Sequence, residues 1–220
     1  MRLMRKVFWD NPYQYTLETT VASVSSNQVT FAETIAFSFS GGQESDKATV
    51  NGLPIIDSKM DNNLIIYTLP DDHGLATGDH VTMEIDWPRR HKLMRFHFAA
   101  ELVLEIVTQN FGFEKVGAHI AESKARIDFI SDTNISGIFD AILEKYNVII
   151  NADLPIHTGF IDVATQRRFW KIDGFAEVPC GGTHVKSTKE VGFVTLKRSH
   201  PGKSIERIEI QLLNETVIMP

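Results

Sequence analysis

Cysteine is almost missing from this sequence. Cys180 is the only cysteine among 220 residues, so an internal disulfide is excluded. A lone thiol can serve as a small buried side chain, as a nucleophile or as a metal ligand. The thiol alone leaves these three roles open, and the residues around it have to distinguish them.

Long apolar runs are also missing. No segment approaches the roughly eighteen uninterrupted apolar residues of a membrane-spanning helix. The basic residues 1–6 are followed by a segment that is too short and too polar for a signal-peptide core. We therefore expect a cytoplasmic protein that has no membrane partner.

The chain has no excess of positive charge. Its 22 Lys and Arg residues against 28 Asp and Glu residues give a net charge of −6, which argues against uniform binding of nucleic acid. Basic residues do cluster in short segments, and each cluster alone is more often a solvated surface. Several clusters on one face would contact RNA phosphates in a salt-sensitive way. The residues expected to do so are Arg89, Arg90, Lys197 and Lys203.

The first 88 residues have the pattern of β-strands. Apolar and β-branched side chains alternate with polar ones, and Asn51-Gly52 suits the turn of a β-hairpin. Short strands joined by turns predict a small β-barrel. The predicted strands cover residues 13–21, 28–31, 48–50, 53–56, 64–69 and 80–87.

The pattern changes at Pro88, which can open a helix. Beyond it, apolar residues recur every three and four positions. This predicts a helix ending near residues 110–112 and a second helix near residues 135–146. Strands are predicted at residues 125–129, 147–150, 168–172, 192–197 and 205–213. The mixture is typical of an α+β fold, so we expect one domain over residues 1–88 and a second over residues 89–220.

Two short segments combine residues that can bind a metal. In His-Phe-Ala-Ala-Glu at 97–101, the first and last residues are four positions apart on the predicted helix, so His97 and Glu101 share one face. In Cys-Gly-Gly-Thr-His at 180–184, two glycines permit a tight bend that could bring Cys180 and His184 together. Thiolate, imidazole and carboxylate are all groups that bind zinc.

Each segment also has a plain structural interpretation. A His and a Glu four positions apart on a helix usually form a surface pair worth about a few tenths of a kcal/mol. A Cys-Gly-Gly-Thr segment usually forms a turn. The two segments are 83 positions apart, and spacing alone does not bring them together. The residues by themselves therefore leave a metal site and two unrelated structural features as alternatives.

A family resemblance distinguishes these alternatives. The segment Cys-Gly-Gly-Thr-His-Val at 180–185 resembles the second half of the zinc signature of alanyl-tRNA synthetase editing domains and their freestanding relatives. The flanking motifs also resemble this family, in its order and over almost the whole chain. They are Trp-Pro-Arg-Arg at 87–90 and Met-Arg-Phe-His at 94–97 before the first half of the signature, Ser-Gly-Gly-Gln-Glu-Ser-Asp at 40–46 for the glycine-rich motif, and residues 192–197 and 205–209 for the closing hairpin.

The resemblance implies a fold as well as a family. It implies a small N-terminal β-barrel that carries the glycine-rich motif, followed by an α/β editing domain with an antiparallel sheet. The length of the chain resembles the medium-sized freestanding class, which lacks a long C-terminal extension. Threonyl-tRNA synthetases have a similar editing module, but the glycine-rich motif favours the alanyl branch.

The resemblance implies that His97, Glu101, Cys180 and His184 surround one divalent metal, expected to be zinc. The family usually has a second histidine where this chain has Glu101. Glutamate can bind zinc, but its negative charge should make the ion a weaker Lewis acid and raise the pKa of its water. The alternative is a site that has lost its metal.

The implied reaction is hydrolysis of the ester that joins a wrong amino acid to alanine tRNA. A synthetase pocket for alanine discriminates against serine or glycine by only about 1–3 kcal/mol, so a second hydrolytic site is needed. We expect seryl-tRNA(Ala), and glycyl-tRNA(Ala) as a further substrate, to be deacylated with metal-bound water. Polarisation of the ester carbonyl by zinc and binding of the amino group to zinc stay open as alternatives. The partner is the acceptor end of tRNA(Ala), and Gly41, Gly42, Gln43 and Thr183 are expected to border the substrate.

Two other functions stay open at this stage. The same fold could recognise the tRNA acceptor end without chemistry, and metal content together with hydrolysis would distinguish that case. The chain could also be a metallohydrolase for another ester, which competition by uncharged tRNA(Ala) would reveal.

Overall fold

The computed structural model describes residues 4–202 and 204–213. The chain divides into two compact units. The first contains the described residues up to Ser40 together with Glu44–His91, and the second contains Gly41–Gln43 and the described residues from Lys92 onward. The predicted mixture of helices and mostly antiparallel sheets is confirmed. The assignment of residues 1–88 and 89–220 to two domains stays a prediction.

The first unit is built mainly from short strands. Its elements are β1 (Arg5–Lys6), α1 (Val7–Asp10), β2 (Thr16–Ser25), β3 (Gln28–Phe31), β4 (Glu33–Thr34), β5 (Ala48–Val50), β6 (Leu53–Pro54), β7 (Asp57–Asp61), β8 (Leu64–Thr68) and β9 (His80–Ile85). Seven of them pair in the order β6-β5-β9-β2-β3-β8-β7, all antiparallel, and β1 pairs in parallel with β4. The six strands predicted in this part are present; β3 and β5 have the predicted ends, and the other four have shifted ends.

The backbone between β6 and β7 forms hydrogen bonds in both directions. The Ile55 N–H donates to Ala48 O at 2.9 Å, on the β5 side of the sheet. The Ile56 N–H donates to Thr68 O at 2.8 Å, on the β8 side. The two strands at the ends of the pairing order are therefore joined by a short segment that is bonded to the second strand from each end.

Alternating side chains of these strands form an apolar core. Val21, Val29, Ile65, Tyr67 and Met83 are almost completely buried in one cluster. Period-two alternation is what a half-buried strand requires. The strand β7 escaped prediction because its sequence, Asp-Ser-Lys-Met-Asp, is mostly polar, and its pairing with β8 positions it.

Arg90 belongs to the interior of the first unit. Its side chain has no exposed surface and pairs with the carboxylate of Asp46. Its guanidinium also donates to Ile35 O at 2.7 Å and to Pro12 O at 3.1 Å. A buried guanidinium whose donors are used in this way cannot contact an RNA phosphate, so the prediction for Arg90 is wrong. The basic side chain binds a buried carboxylate and two backbone carbonyls instead of contributing to a surface patch.

The second unit combines helices with two antiparallel sheets. Its elements are α2 (Trp87–Phe111), β10 (Glu114–Ile120), β11 (Ala125–Ile130), a 3-10 turn (Ile135–Ile138), α3 (Phe139–Asn151), β12 (His157–Asp162), β13 (Arg167–Ile172), β14 (Ala176–Pro179), α4 (Thr188–Val191), β15 (Val194–Gly202) and β16 (Ile205–Leu212), with the first five residues of α2 in the first unit. The sheets have the orders β10-β11-β16-β15 and β12-β13-β14. None of the helices formed by the described residues is long and apolar enough to cross a membrane.

The strand predicted at residues 147–150 is wrong, because α3 continues through this segment. Its β-branched residues favour a strand locally. The helical spacing of Ile142, Tyr146, Ile149 and Ile150 instead places all four on one buried face. Packing of that face outweighs a local preference of less than about 1 kcal/mol per residue.

Candidate metal centre

Three donor side chains from separate parts of the second unit converge. His97 lies on α2, and Cys180 and His184 lie in the loop that follows β14. The Cys180 Sγ atom is 3.3 Å from His97 Nε2 and 3.4 Å from His184 Nε2. The three form a group whose donor atoms all lie within 4.8 Å of one another. The structure thus brings together segments that sequence spacing could not connect.

Glu101 lies beside the same group, one helical turn after His97. Its Oε1 atom is 3.4 Å from His97 Nε2 and 3.8 Å from Cys180 Sγ. Its Oε2 atom accepts a hydrogen bond from Trp170 Nε1 at 2.9 Å. The indole therefore holds one carboxylate oxygen and leaves the other facing the donor cluster.

Four of the distances among these donor atoms are compatible with a tetrahedral metal site. For metal–nitrogen bonds of about 2.0 Å and a metal–sulfur bond of about 2.3 Å, adjacent ligands lie about 3.3 Å apart between nitrogen or oxygen atoms and about 3.5 Å apart when one is sulfur. The separations of 3.3, 3.4, 3.4 and 3.8 Å lie close to these values. His97, Cys180 and His184 therefore fit a divalent metal. Glu101 lies outside this group of three and is a candidate fourth ligand on the side of His97 and Cys180.

Local structure explains how the loop reaches the helix. The Cys180 N–H donates to Arg168 O at 2.9 Å, which extends the pairing of β14 with β13 to the thiol. Gly182 then passes directly against the imidazole of His97. A Cβ atom on Gly182 would lie 2.0 Å from His97 Cε1, which no real contact allows. The second glycine of the motif is thus required by packing against the metal-site histidine.

Burial and neighbouring charges shift the pKa values of the two histidines in opposite directions. Burial opposes a charge on His97, but the negative charges and hydrogen bonds of Cys180 and Glu101 outweigh it and raise the pKa of His97 to about 10. Burial, reinforced by the charge on His97, lowers the pKa of His184 to about 3. Burial also opposes the charge on Glu101, but His97 and Trp170 lower its pKa to about 2. A metal cation would take the place of the proton on His97 between two anionic groups.

Two of the four predicted substrate-binding residues, Gln43 and Thr183, adjoin this cluster. Gln43 and Thr183 are buried, and the Gln43 Nε2 atom donates to Thr183 Oγ1 at 2.9 Å. Gly41 is exposed and Gly42 is half-buried, both with positive φ. Contact of these four residues with a substrate stays a prediction.

Gly41, Gly42 and Gln43 of the glycine-rich motif belong to the second unit, although the motif as a whole was expected in the first domain. The Ile120 N–H donates to Gly42 O at 2.8 Å, and Gln43 forms a parallel bridge with Ile120. A Cβ atom on Gly42 would lie 2.6 Å from Ala118 O. The close approach of the two backbones, together with the positive φ, requires glycine at this position.

The remaining residues predicted to bind tRNA have different surroundings. The Arg89 side chain is mostly buried and pairs with Glu44 at 2.8 Å. Lys197 is exposed on β15, and Lys203 lies outside the described residues. Phosphate contacts by these residues stay a prediction.

Trp170 is the site residue that sequence reasoning missed. It is fully buried in β13, and its ring packs edge-on against Phe98 at 5.1 Å. The alternation of buried and exposed positions in β13 indicates that Trp170 faces inward. No sequence signal pairs its indole N–H with Glu101, which is 69 positions away.

Comparison with known proteins agrees with this geometry. Residues 168–209 match the family model described as the threonyl and alanyl tRNA synthetase second additional domain. Over 96% of its length, the chain is 28% identical to the alanyl-tRNA editing protein AlaX-M of Pyrococcus horikoshii and covers 99% of that protein. The predicted resemblance to alanyl-tRNA editing proteins is confirmed. The chain is thus similar to an alanyl-tRNA editing protein over nearly the full length of both.

Longer proteins contain a similar region. The alanyl-tRNA editing protein AlaX-L of Pyrococcus horikoshii is 26% identical over 94% of this chain, which covers 57% of that protein. An alanine–tRNA ligase of Methanococcus maripaludis is 27% identical over 92% of this chain, which covers 25% of the ligase. The editing-protein resemblance therefore extends to one part of a synthetase.

Proposed function

We propose that this chain is a metal-dependent aminoacyl-tRNA deacylase that hydrolyses seryl-tRNA(Ala), with glycyl-tRNA(Ala) as a further substrate. The observation that carries the proposal is the convergence of His97, Cys180 and His184, with Glu101 Oε1 at 3.4 Å from His97 Nε2 and 3.8 Å from Cys180 Sγ. The near full-length similarity to an alanyl-tRNA editing protein supports the choice of substrate.

Zinc is the ion that this donor set favours. One thiolate, two imidazoles and one carboxylate are typical zinc ligands, whereas magnesium and calcium prefer oxygen ligands alone. When bound, zinc would supply a Lewis acid for the ester carbonyl or for water. The two negative charges of Cys180 and Glu101 would balance the charge of the ion and weaken its Lewis acidity relative to a site with a third histidine.

The protein residues organise this centre. The low pKa of His184 keeps its imidazole neutral and able to bind a cation. Trp170 fixes the rotation of the Glu101 carboxylate through one oxygen. The close contact of Gly182 with His97 limits how far the imidazole can tilt. Packing and hydrogen bonds therefore hold these side chains in place before an ion binds.

The first unit supports the same family fold. We infer that its sheet closes into the predicted small β-barrel, because Ile55 and Ile56 bond to the strands second from each end of the pairing order.

Lys197 is the exposed candidate for contact with tRNA phosphates.

The test is deacylation by the purified protein of seryl-, glycyl- and alanyl-tRNA(Ala), with zinc analysis. We expect about one zinc per chain, hydrolysis of the seryl ester in preference to the alanyl ester, and loss of hydrolysis with a chelator. Cys180→Ala should abolish both zinc retention and hydrolysis, because it removes the thiolate. His184→Ala should have the same effect, because it removes one imidazole donor. Its matched control is His157→Ala, at an exposed histidine on β12, which should leave zinc retention and hydrolysis unchanged.

Two outcomes would contradict the proposal. Tight binding of tRNA(Ala) without zinc or hydrolysis would identify a binding module. Hydrolysis of simple esters that excess uncharged tRNA(Ala) does not inhibit would identify a different metallohydrolase.

A further inference from the structure

Gln43 uses both ends of its side-chain amide beside the metal centre. The residue is completely buried. Its Oε1 atom lies 2.6 Å from His97 Nδ1 and accepts the backbone N–H of Thr183 at 3.2 Å. Its Nε2 atom donates to Thr183 Oγ1 at 2.9 Å. One amide therefore connects the helix that carries His97 with the loop that carries Cys180 and His184.

These contacts determine the orientation of the amide. The Thr183 backbone N–H can only donate, so the amide atom facing it has to be the carbonyl oxygen. A flipped amide would place its NH₂ group against that donor. The same oxygen faces His97 Nδ1, and since a carbonyl oxygen only accepts, Nδ1 must carry a hydrogen.

The orientation in turn determines which nitrogen of His97 is available. With the hydrogen on Nδ1, the lone pair of a neutral imidazole lies on Nε2. That atom faces Cys180 Sγ at 3.3 Å and Glu101 Oε1 at 3.4 Å. A histidine that binds a metal usually donates its other N–H to an acceptor, which fixes the tautomer and the ring orientation.

We propose that Gln43 is a positioning residue that holds His97 in the Nδ1–H tautomer and aims Nε2 at the metal. The proposal rests on the metal site of the proposed function, and it differs from the substrate contact expected from the sequence. The bonds of Gly42 and Gln43 to Ile120 fix the backbone from which the amide projects. The glycine-rich motif thus completes the metal site without contributing a ligand.

The direct test needs no variant. Long-range ¹H–¹⁵N NMR of the zinc-loaded wild-type protein reports which nitrogen of His97 carries hydrogen. We expect a protonated Nδ1 and a metal-bound Nε2. Zinc on Nδ1 with hydrogen on Nε2 would overturn the proposal, as would a wild-type protein that binds no zinc.

A variant series measures the contribution of the amide. Gln43→Met keeps the length of the side chain and removes the acceptor, and we expect zinc affinity, measured by competition with a chromophoric chelator, to fall about 10–100-fold. Gln211→Met, at an exposed glutamine on β16, is the control and should match wild type. If Gln43→Met does not fold, Thr183→Val provides a milder change, since it removes the acceptor for Gln43 Nε2; it should weaken zinc binding by a smaller factor.

The results separate this proposal from the proposed function. Wild-type affinity in folded Gln43→Met and Thr183→Val would refute the positioning role and leave the deacylase proposal standing. Weakened zinc binding in a protein that deacylates no aminoacyl-tRNA would support the positioning role and refute the deacylase proposal.

Discussion

Two neighbouring glycines in the loop of residues 180–184 have different surroundings. A Cβ atom on Gly182 would collide with the His97 imidazole, whereas a Cβ atom on Gly181 would have no neighbour within 4 Å. We expect Gly182→Ala to displace His97 and reduce zinc affinity at least about tenfold, with a parallel loss of deacylation. Gly181→Ala is the matched control. Equal zinc affinities of the two variants, measured by chelator competition, would show that the loop can move away from the imidazole.

The sequence pointed to the donor residues of this site but not to their arrangement. Helical spacing placed His97 and Glu101 on one face, and the family resemblance of both segments suggested that Cys180 and His184 join them. The contacts of Gln43 with His97 and Thr183 could not be predicted, since they join positions 54 and 140 residues apart. For Arg90 the sequence led to a wrong prediction, because a cluster of basic residues gives no signal that one of them is buried against Asp46.

Regular elements were predictable where one pattern dominated. Helix α2 and strands β5 and β9 have clear periods and were expected. Strands β10, β12 and β14 were not expected. Fully buried residues do not alternate regularly with exposed ones along them, and pairing with antiparallel neighbours holds them in place. Helix α3 extended further than predicted, since its β-branched residues repeat with helical spacing.

A buried carboxylate links β16 to its neighbours. Glu206 accepts hydrogen bonds from Arg198 and His200 on β15 and from the Ile135 N–H of the 3-10 turn. The Arg198 guanidinium is the main cause that lowers the pKa of Glu206 from 4.5 to about 2, and desolvation opposes it. The ionised carboxylate therefore stabilises the folded state above its unfolded pKa, and this stabilisation is lost as the pH falls from 4.5 towards 2.

Glu206→Gln tests this dependence. We expect the variant to have a lower melting temperature than wild type near pH 7, with the difference shrinking as the pH is lowered to about 3. Removing a hydrogen-bonded charge at a buried position should cost about 1–3 kcal/mol near neutral pH. Glu114→Gln, at an exposed carboxylate that begins β10, should change the melting temperature much less. A constant difference between Glu206→Gln and wild type across the pH range would contradict the linkage.

The charge of the whole molecule restricts how it can bind RNA. At −6 the net charge repels a polyanion, so binding has to rely on a few exposed cations. We expect tRNA affinity to fall steeply between about 50 and 200 mM salt. Lys197→Ala should weaken binding and reduce the slope of log affinity against log salt by about one. Lys59→Ala, at an exposed lysine on β7, should leave the slope unchanged. A slope unaffected by Lys197→Ala would exclude this lysine from the interface.

The hydrogen bond from Trp170 to Glu101 gives the protein an intrinsic optical reporter. Trp170 is one of three tryptophans, and its indole N–H contacts a carboxylate whose other oxygen faces the donor cluster. A cation that shares the charge of Glu101 changes the electric field at the indole ring, so the emission of Trp170 should shift when zinc is added to metal-free protein. The emission shift should saturate at one equivalent of zinc and disappear in Trp170→Phe. The fluorescence of Trp9 and Trp87 should not change. Metal loading could then be followed in real time without a dye or a label.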